Sequence, residues 1–554
     1  MEIQKKYEYW LRNVREEDLA AELAAMDDKT KEDAFYRDLA FGTAGIRGTL
    51  GAGTNRMNVY TVGRASQGMA SYLADHFAEP SVAIGYDSRI KSDLFAETAA
   101  AVFAANGVAV HLYPALMPVP LVSFAVRALG TSGGVMVTAS HNPSQYNGYK
   151  AYGPDGCQIT SDAAVEIQAN IDKTDPFRDV KSVPFEEAVK TGKVKMIDDS
   201  VLTAFIERVK RESVLFGDEV DRDVAVVYSP LNGAGRVPVT RILRETGFTN
   251  VTVVKEQEEP DGRFPTCPYP NPEIREAMEL GLSYCEKTGA DILIATDPDC
   301  DRCGIAVRGK NGYELISGNN VGVLLLDFIC AQRAKHGKMP ADPVFVKTIV
   351  TTDPGQKIAA KYGVATRNVL TGFKYIGDVI AGLEEQGRAD AYIFGYEESY
   401  GYLTGPYVRD KDAVDAAFMI CEMFAYYKTR GISLPDRLAA IYREYGFCLN
   451  KVTAYQFDGS AGMQKMAEIM TALRRGIPAL GGQKVEQTLD YASGLDGLPP
   501  AEVLKFVTKD YSVIVRPSGT EPKIKVYITV TAPDEARAKA AEETIRAEME
   551  TRVQ

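Results

Sequence analysis

The strongest constraint on the fold of this chain is a rhythm that recurs three times. Short apolar strands alternate with helix-length spacers, and the third strand of each set runs into a polar loop. The first set reads VAIGY (82–86), VAVHLY (108–113) and GVMVTA (134–139). The second reads VAVVYS (224–229), VTVVK (251–255) and DILIAT (291–296), and the third VFVKTI (344–349), VATRNVL (364–370) and AYIFGY (391–396). β-Rich runs spaced by helical periods predict βαβ units and parallel or mixed sheets. The polar loops open at Ser140 (SHNPS), Asp297 (DPDCDR) and Glu397 (EESYG), and the carboxyl ends of strands are where α/β folds place chemistry. Three topologically similar α/β domains could thus aim three loops into one central cleft. The C-terminal stretch breaks the rhythm: YSVIVRPSGTEPKIKVYITV and then the helical DEARAKAAEETIRAEME predict an α+β domain. The expected domains are 1–200, 201–320, 321–450 and 451–554.

A chain of 554 residues exceeds what one core can serve. Its net charge of −12 leaves no basic excess to displace counterions, which argues against nucleic acid as a partner. No run of about 18 apolar residues predicts a membrane span. The opening MEIQKKYEYWLRNVREEDL is charged throughout and reads as an amphipathic helix around Trp10 and Leu11 rather than a signal peptide. Cysteines 157, 267, 285, 300, 303, 330, 421 and 448 are scattered, mostly in apolar contexts, which predicts reduced thiols and a cytoplasmic location. Cys300 and Cys303 form a lone CxxC without partners for zinc and read as incidental.

Ser140 ends a strand in Thr138-Ala139-Ser140-His141-Asn142-Pro143, where the proline forbids a continuing helix. Its exposed hydroxyl suits a covalent nucleophile, and equally a Ser/Asn turn that caps the next element. His141 is the one histidine set in a wholly polar motif, and Lys150 lies within reach of the same loop. In Asp297-Pro298-Asp299-Cys300-Asp301-Arg302, alternate residues of an extended loop converge three carboxylates on one point. Such groups repel unless a cation sits between them, and oxygen-only ligands favour magnesium. An EF-hand is excluded, because its sixth and twelfth positions here are Arg302 and Arg308. A solvated acidic turn is the bland alternative. Arg516-Pro517-Ser518-Gly519-Thr520-Glu521-Pro522-Lys523 offers a guanidinium fork, hydroxyls and backbone N–H groups suited to phosphate, where a plain hairpin turn would not need the arginine. Weaker signals are the Gly-rich FGTAGIRG with Arg47, and Glu397, Ser399 and Lys374, which suit sugar hydroxyls or a capped helix start. Asp87 and Arg89 in GYDSR read best as a buried structural pair, with Arg89 and Lys91 solvating a loop as the alternative.

Taken in order, FGTAGIRG, TASHNP, DPDCDR, GYEESYG and RPSGTEPK resemble the motifs of the α-D-phosphohexomutases, and among them the bacterial phosphoglucomutases. The resemblance spans about residues 40 to 530. It implies three similar α/β domains with mixed sheets and a C-terminal α+β domain around one cleft. It implies reversible interconversion of glucose 1-phosphate and glucose 6-phosphate through phosphorylated Ser140 and a glucose 1,6-bisphosphate intermediate, which also serves as activator. One Mg2+ would be held by Asp297, Asp299, Asp301 and an oxygen of that phosphoserine. Arg302 would neutralise the transferring group, Glu397 and Ser399 would contact sugar hydroxyls, and Arg516, Ser518, Gly519 and Thr520 would bind the phosphate that is not reacting. Lys150 is the first choice of general base, with His141 and Arg47 as helpers. Some mannomutase relatives carry a histidine just after Glu-x-Ser, where this chain has Tyr400 and Gly401. That departure weakens a phosphomannomutase reading; a phosphopentomutase or a sugar-bisphosphate synthase is the runner-up, and a non-catalytic sugar-phosphate sensor is the rival from another class. The expected partners are small sugar phosphates, with the chain a monomer or homodimer.

Overall fold

The computed structural model describes residues 2–42, 45–457, 459–518 and 523–553. The first sheet has six strands: β1 (Ile46–Thr49), β2 (Ser81–Tyr86), β3 (Ala109–Leu112), β4 (Gly133–Val137), β5 (Tyr146–Tyr152) and β6 (Val194–Met196), in the order β1-β5-β4-β2-β3-β6. The second has β7 (Val226–Ser229), β8 (Val251–Val253), β9 (Ile292–Thr296), β10 (Cys303–Gly309) and β11 (Gly312–Ile316), ordered β11-β10-β9-β7-β8. The third has β12 (Val344–Thr348), β13 (Ala365–Val369), β14 (Tyr392–Glu397) and β15 (Gly401–Leu403), ordered β13-β12-β14-β15.

One unit recurs in all three sheets. A central strand (β2, β7, β12) pairs in parallel with the next strand on one side and the third on the other. A fourth strand then returns antiparallel to the third: β5 on β4, β10 on β9, β15 on β14. The polar loops are the connections between third and fourth strands, so the expected threefold α/β architecture with mixed sheets is what forms. The returning strands escaped the sequence pattern, since NGYKAY, CGIAVRG and GYL contain glycine and do not read as apolar runs. Strands β4, β9 and β12 are buried at every residue, as expected for parallel strands covered by helices on both faces. Each buried Val, Ile or Phe there is worth about 1.5–3 kcal/mol, which fixes the strand ends and therefore the loops that leave them.

Ahead of the first sheet, helices Glu2–Asn13, Glu17–Ala25 and Asp28–Phe35 form a small apolar cluster of their own. Trp10 anchors it, edge-on to Phe35, Tyr60 and Phe177. Leu11, expected on the same face, is 45% exposed, because one helical step carries it about 100° round from Trp10. All eight cysteines are free and buried, Cys300 and Cys303 included.

The C-terminal unit is α+β as expected. Strand β16 (Phe447–Gln456) is followed by a two-stranded ribbon, β17 (Ala479–Leu480) with β18 (Gln483–Lys484). Then come β19 (Gln487–Asp490), β20 (Leu504–Val507), β21 (Tyr511–Pro517) and β22 (Lys523–Ala532), in an antiparallel sheet β16-β22-β21-β20-β19. Helix Glu535–Val553 buries Ala538, Ile545, Met549 and Val553 against it. Residue 450 lies inside β16, and the turn between the third and fourth units comes at Gly446, whose φ of 91° suits only glycine. Ile349, Val350 and Leu370 of the third unit pack on Tyr491, Val503, Ile514 and Tyr527 of the fourth.

Candidate active site

The loop from β4 to β5 sets Ser140 in the left-handed region, at φ 52°. Its N–H donates to Thr138 Oγ1 at 2.8 Å, and its Oγ lies 3.1 Å from His141 Nδ1. Across the cleft, Ser140 Oγ donates to Asp297 Oδ2 at 2.9 Å. The first and second polar loops, separated by more than 150 residues of sequence, therefore meet. Burial, reinforced by the nearby Arg302 and Arg47, pushes the His141 imidazole well below its usual range and keeps it neutral. Arg47, on β1 beside Gly148 of β5, donates to Asn142 Oδ1 at 3.0 Å. The solvating-loop alternative fails for Arg89, which is buried behind this loop in an ion pair with Asp87 at 3.4 Å; Lys91 pairs with Asp18.

Asp297, Asp299 and Asp301 are fully buried, each offering an oxygen within 4.8 Å of the others. Convergence depends on Cys300, whose φ of 53° folds the loop back. The loop is gripped from three sides. Its Asp299 carbonyl accepts the N–H of Val119, at the start of helix Val119–Leu129. The Cys300 carbonyl accepts that of Ala413, which opens helix Ala413–Thr429, and Cys303 N–H donates to Tyr400 of the third loop. Gly233 must be glycine, since a Cβ there would meet the Pro298 carbonyl oxygen at 2.6 Å. Lys150 Nζ bridges Asp299 Oδ2 at 2.9 Å and Asp301 Oδ2 at 3.1 Å. Lys411 Nζ reaches Asp301 Oδ2 at 3.2 Å. Burial and the adjacent Asp299 and Asp301 push the Asp297 carboxyl well up, whereas Lys150 and Lys411 overcome burial to hold Asp301 down. The remaining oxygens Asp299 Oδ1 and Asp301 Oδ1 are buried without a hydrogen-bond partner. Orphaned carboxylate oxygens at this spacing fit a divalent cation, and the donor set is all oxygen.

The third loop contributes Glu397, Glu398 and Ser399 between β14 and β15. Glu397 is buried and accepts Gly372 N–H at 2.9 Å, at the start of helix Phe373–Glu385. That same first turn carries Lys374, whose Nζ lies 4.7 Å over the Tyr375 ring; Glu397 to Ser399 themselves begin no helix but turn between β14 and β15. Arg302 extends from the aspartate loop to Glu273 at 3.8 Å. From the fourth unit, Arg516 sits directly across the β21–β22 ladder from Lys525. Ser518 closes β21 by donating its N–H to the Lys523 carbonyl at 2.7 Å. Gly519 and Thr520 lie outside the described residues, as do Thr43 and Ala44 of the FGTAGIRG motif.

Among the described residues, Lys411 and Lys525 of the cleft went unassigned from sequence, whereas the buried Asp87–Arg89 pair read from GYDSR is what forms. For Lys411 a signal existed, because RDKD (409–412) is a charged run pressed between apolar segments and every member of it is buried.

Comparison with known proteins covers nearly the whole chain. Models of the phosphoglucomutase/phosphomannomutase family match in order: α/β/α domain I over residues 38–178, domain II over 203–311, domain III over 317–445, and the C-terminal domain over 459–547. A phosphoglucomutase of Staphylococcus haemolyticus is 36% identical over 513 residues, which is 90% of this chain and 92% of the relative. The fold matches that of a phosphoglucomutase/phosphomannomutase family protein from Burkholderia thailandensis, with TM-score 0.68, 19% identity, and 93% and 97% of the two chains covered. It also matches the open form of the phosphoglucomutase parafusin from Paramecium, with TM-score 0.68, 18% identity, and 93% and 95% covered.

Proposed function

We infer the chemistry of this cleft from one premise: the chain belongs to the α-D-phosphohexomutase superfamily. It is a phosphoglucomutase-type enzyme that interconverts glucose 1-phosphate and glucose 6-phosphate. The observation that carries the mechanism is the 2.9 Å hydrogen bond from Ser140 Oγ to Asp297, inside a buried carboxylate trio that has oxygens to spare. Ser140 is the residue that carries the phosphoryl group. Asp297, Asp299, Asp301 and one oxygen of the phosphoserine would hold a single Mg2+. A cation bound there would neutralise the carboxylates, polarise the phosphoryl group and free Lys150 from its ion pairs.

Lys150 is the residue placed to take the proton of the attacking sugar hydroxyl, with His141 and Arg47 beside it; against burial, Asp299 and Asp301 hold its ammonium protonated, so it acts as base only in the form that has lost that proton. Arg302 faces the charge on the transferring group. Glu397 and Ser399 grip the sugar hydroxyls, assisted by Lys374. Arg516 and Ser518, with Gly519 and Thr520 of the same loop, bind the distal phosphate. Phosphoserine donates to the free hydroxyl, giving glucose 1,6-bisphosphate, which turns over in the cleft and returns its other phosphate to Ser140. The bisphosphate is thus intermediate and activator at once. Fixed positioning supplies most of the acceleration. The domain division stays as read from sequence, with the last boundary moved to 446, where the turn precedes β16. No described helix is long and apolar enough to cross a membrane, and the free, buried cysteines support a cytoplasmic location.

The test combines a coupled glucose 1-phosphate assay with intact mass and phosphopeptide mapping. Phosphate is expected on Ser140, and Ser140→Ala should lose turnover while still binding glucose 6-phosphate by calorimetry. Turnover surviving in that variant would overturn the covalent mechanism.

A further inference from the structure

Behind the Ser140 loop lies a side chain to which the reaction assigns no part. Arg89 is 3% exposed, and its guanidinium donates to the carbonyl oxygens of Ser140, Asn142, Pro143 and Tyr146. Asp87, its ion-pair partner, accepts from Thr138 Oγ1 at 2.6 Å, and Thr138 Oγ1 in turn holds the Ser140 N–H. The carbonyls of the loop are therefore turned inward onto one buried cation. A non-glycine residue in the left-handed region costs about 1–2 kcal/mol, so the conformation of Ser140 must be imposed by what surrounds it, and Arg89 is the group that touches the loop at both ends.

The other face of Arg89 belongs to the second domain. The Phe264 ring covers the guanidinium, with Cζ 5.1 Å from its centroid. Gly262 approaches so closely that a Cβ would meet Ser88 O at 2.6 Å. Arg89 thus joins the loop that bears the nucleophile to the domain that bears the aspartates.

We propose that Arg89, capped by Gly262 and Phe264, is a positioning residue that aims Ser140 Oγ at the bound sugar hydroxyl and so sets how the phosphoryl group divides between sugar and water. The proposal rests on the reading of Ser140 as phosphoryl carrier. In productive transfer the bond from phosphorus to Ser140 Oγ breaks as one to the sugar oxygen forms, and the hydroxyl proton passes by way of the base to Ser140 Oγ, the leaving oxygen. In the leak a water oxygen takes the sugar's place; inorganic phosphate departs, and the serine hydroxyl is restored by the water's proton. A bound sugar hydroxyl has one position, whereas water adapts to a misplaced phosphate, so mis-aiming slows transfer to sugar more than transfer to water.

The experiment measures, for full-length enzyme with Mg2+ and glucose 1,6-bisphosphate, inorganic phosphate released per mutase turnover. This ratio does not depend on the fraction of molecules that fold. Arg89→Lys keeps the charge and loses the fork; the ratio should rise at least about 10-fold and kcat fall about 100-fold, with KM for glucose 1-phosphate little changed. Phe264→Leu, which leaves the loop's hydrogen bonds intact, should raise the ratio in the same direction by about 3-fold or more, and it decides the matter alone if Arg89→Lys does not fold. A wild-type ratio in the folded variants overturns the proposal, however far kcat falls. Failure of wild-type enzyme to show phosphate on Ser140 by mass after incubation with the bisphosphate overturns the reading beneath it, and the two failures are distinct.

Discussion

Replacing Asp299 with asparagine separates the cost of assembling the carboxylate trio from the benefit of the cation it holds. With oxygens no more than 4.8 Å apart, each pair of charges repels by about 3.5 kcal/mol or more at an effective dielectric near 20. At a pH high enough to ionise Asp297 as well as its two neighbours, removing the Asp299 charge relieves two such repulsions, about 7 kcal/mol. It forfeits the attraction to Lys150 at 2.9 Å, about 6 kcal/mol on the same scale. The two nearly cancel, and Lys150 keeps Asp301 as a partner at 3.1 Å. Metal-free Asp299→Asn should therefore match wild type in stability within about 1–2 kcal/mol, although a fully buried residue has changed. The cation-dependent part behaves differently. A ligand at 100 times its Kd stabilises the native state by about 2.7 kcal/mol, which raises the melting midpoint of a domain of 150–250 residues by roughly 5–10 °C. Wild type should show that upward shift when MgCl2 is added to EDTA-treated protein, and Asp299→Asn should show almost none, with turnover down about 1000-fold. Differential scanning fluorimetry with and without MgCl2 measures both quantities. A full magnesium shift in the variant, or a metal-free midpoint far below wild type, would refute the argument that the trio exists for a cation.

Other consequences are open to simpler measurement. Burial pushes the Glu212 carboxyl up to about 7, against the pull of Arg208 at 3.6 Å and of Arg333. Its folded pKa lies above the unfolded one, so its ionisation costs stability progressively from about pH 4.5 to 7 and fully above that. Glu212→Gln should then raise the melting midpoint at pH 8 and leave it unchanged at pH 4, and an equal effect at both would contradict this. Arg409, fully buried, donates to the carbonyls of Pro406 and Val408 and pairs with Glu384 at 2.7 Å. Arg409→Met should cost about 2–4 kcal/mol in urea unfolding; a loss under about 0.5 kcal/mol would show that those carbonyls are satisfied otherwise. Phe205 is buried where the rings of Phe124 and Tyr407 meet it at 5.5 and 5.9 Å, and Phe205→Ala should cost about 3–5 kcal/mol by the same assay.

The amino-acid pattern by itself determined what is local. Apolar runs such as Ile292–Thr296 declare buried strands, Pro143 stops a helix, and the spacing of Asp297, Asp299 and Asp301 declares converging carboxylates. From these the repeated α/β units were legible, with Ser140 and the aspartate trio as candidates for nucleophile and cation site. Only the tertiary structure decided which charges are buried and what they touch. Arg89 stands more than 50 residues from the carbonyls it gathers, and Lys411 more than 100 from Asp301. In sequence Lys411 is indistinguishable from a solvated surface residue, and Arg89, although readable as half of a buried pair with Asp87, gives no sign of the carbonyls it gathers, because charge is written in the side chain while burial is conferred by neighbours that arrive from elsewhere in the chain. The antiparallel returns β5, β10 and β15 were hidden for a related reason: glycines, and in β5 and β10 the charged Lys150 and Arg308, interrupt their apolar signature, although Tyr149, Ile305, Val307 and Leu403 are buried in the core.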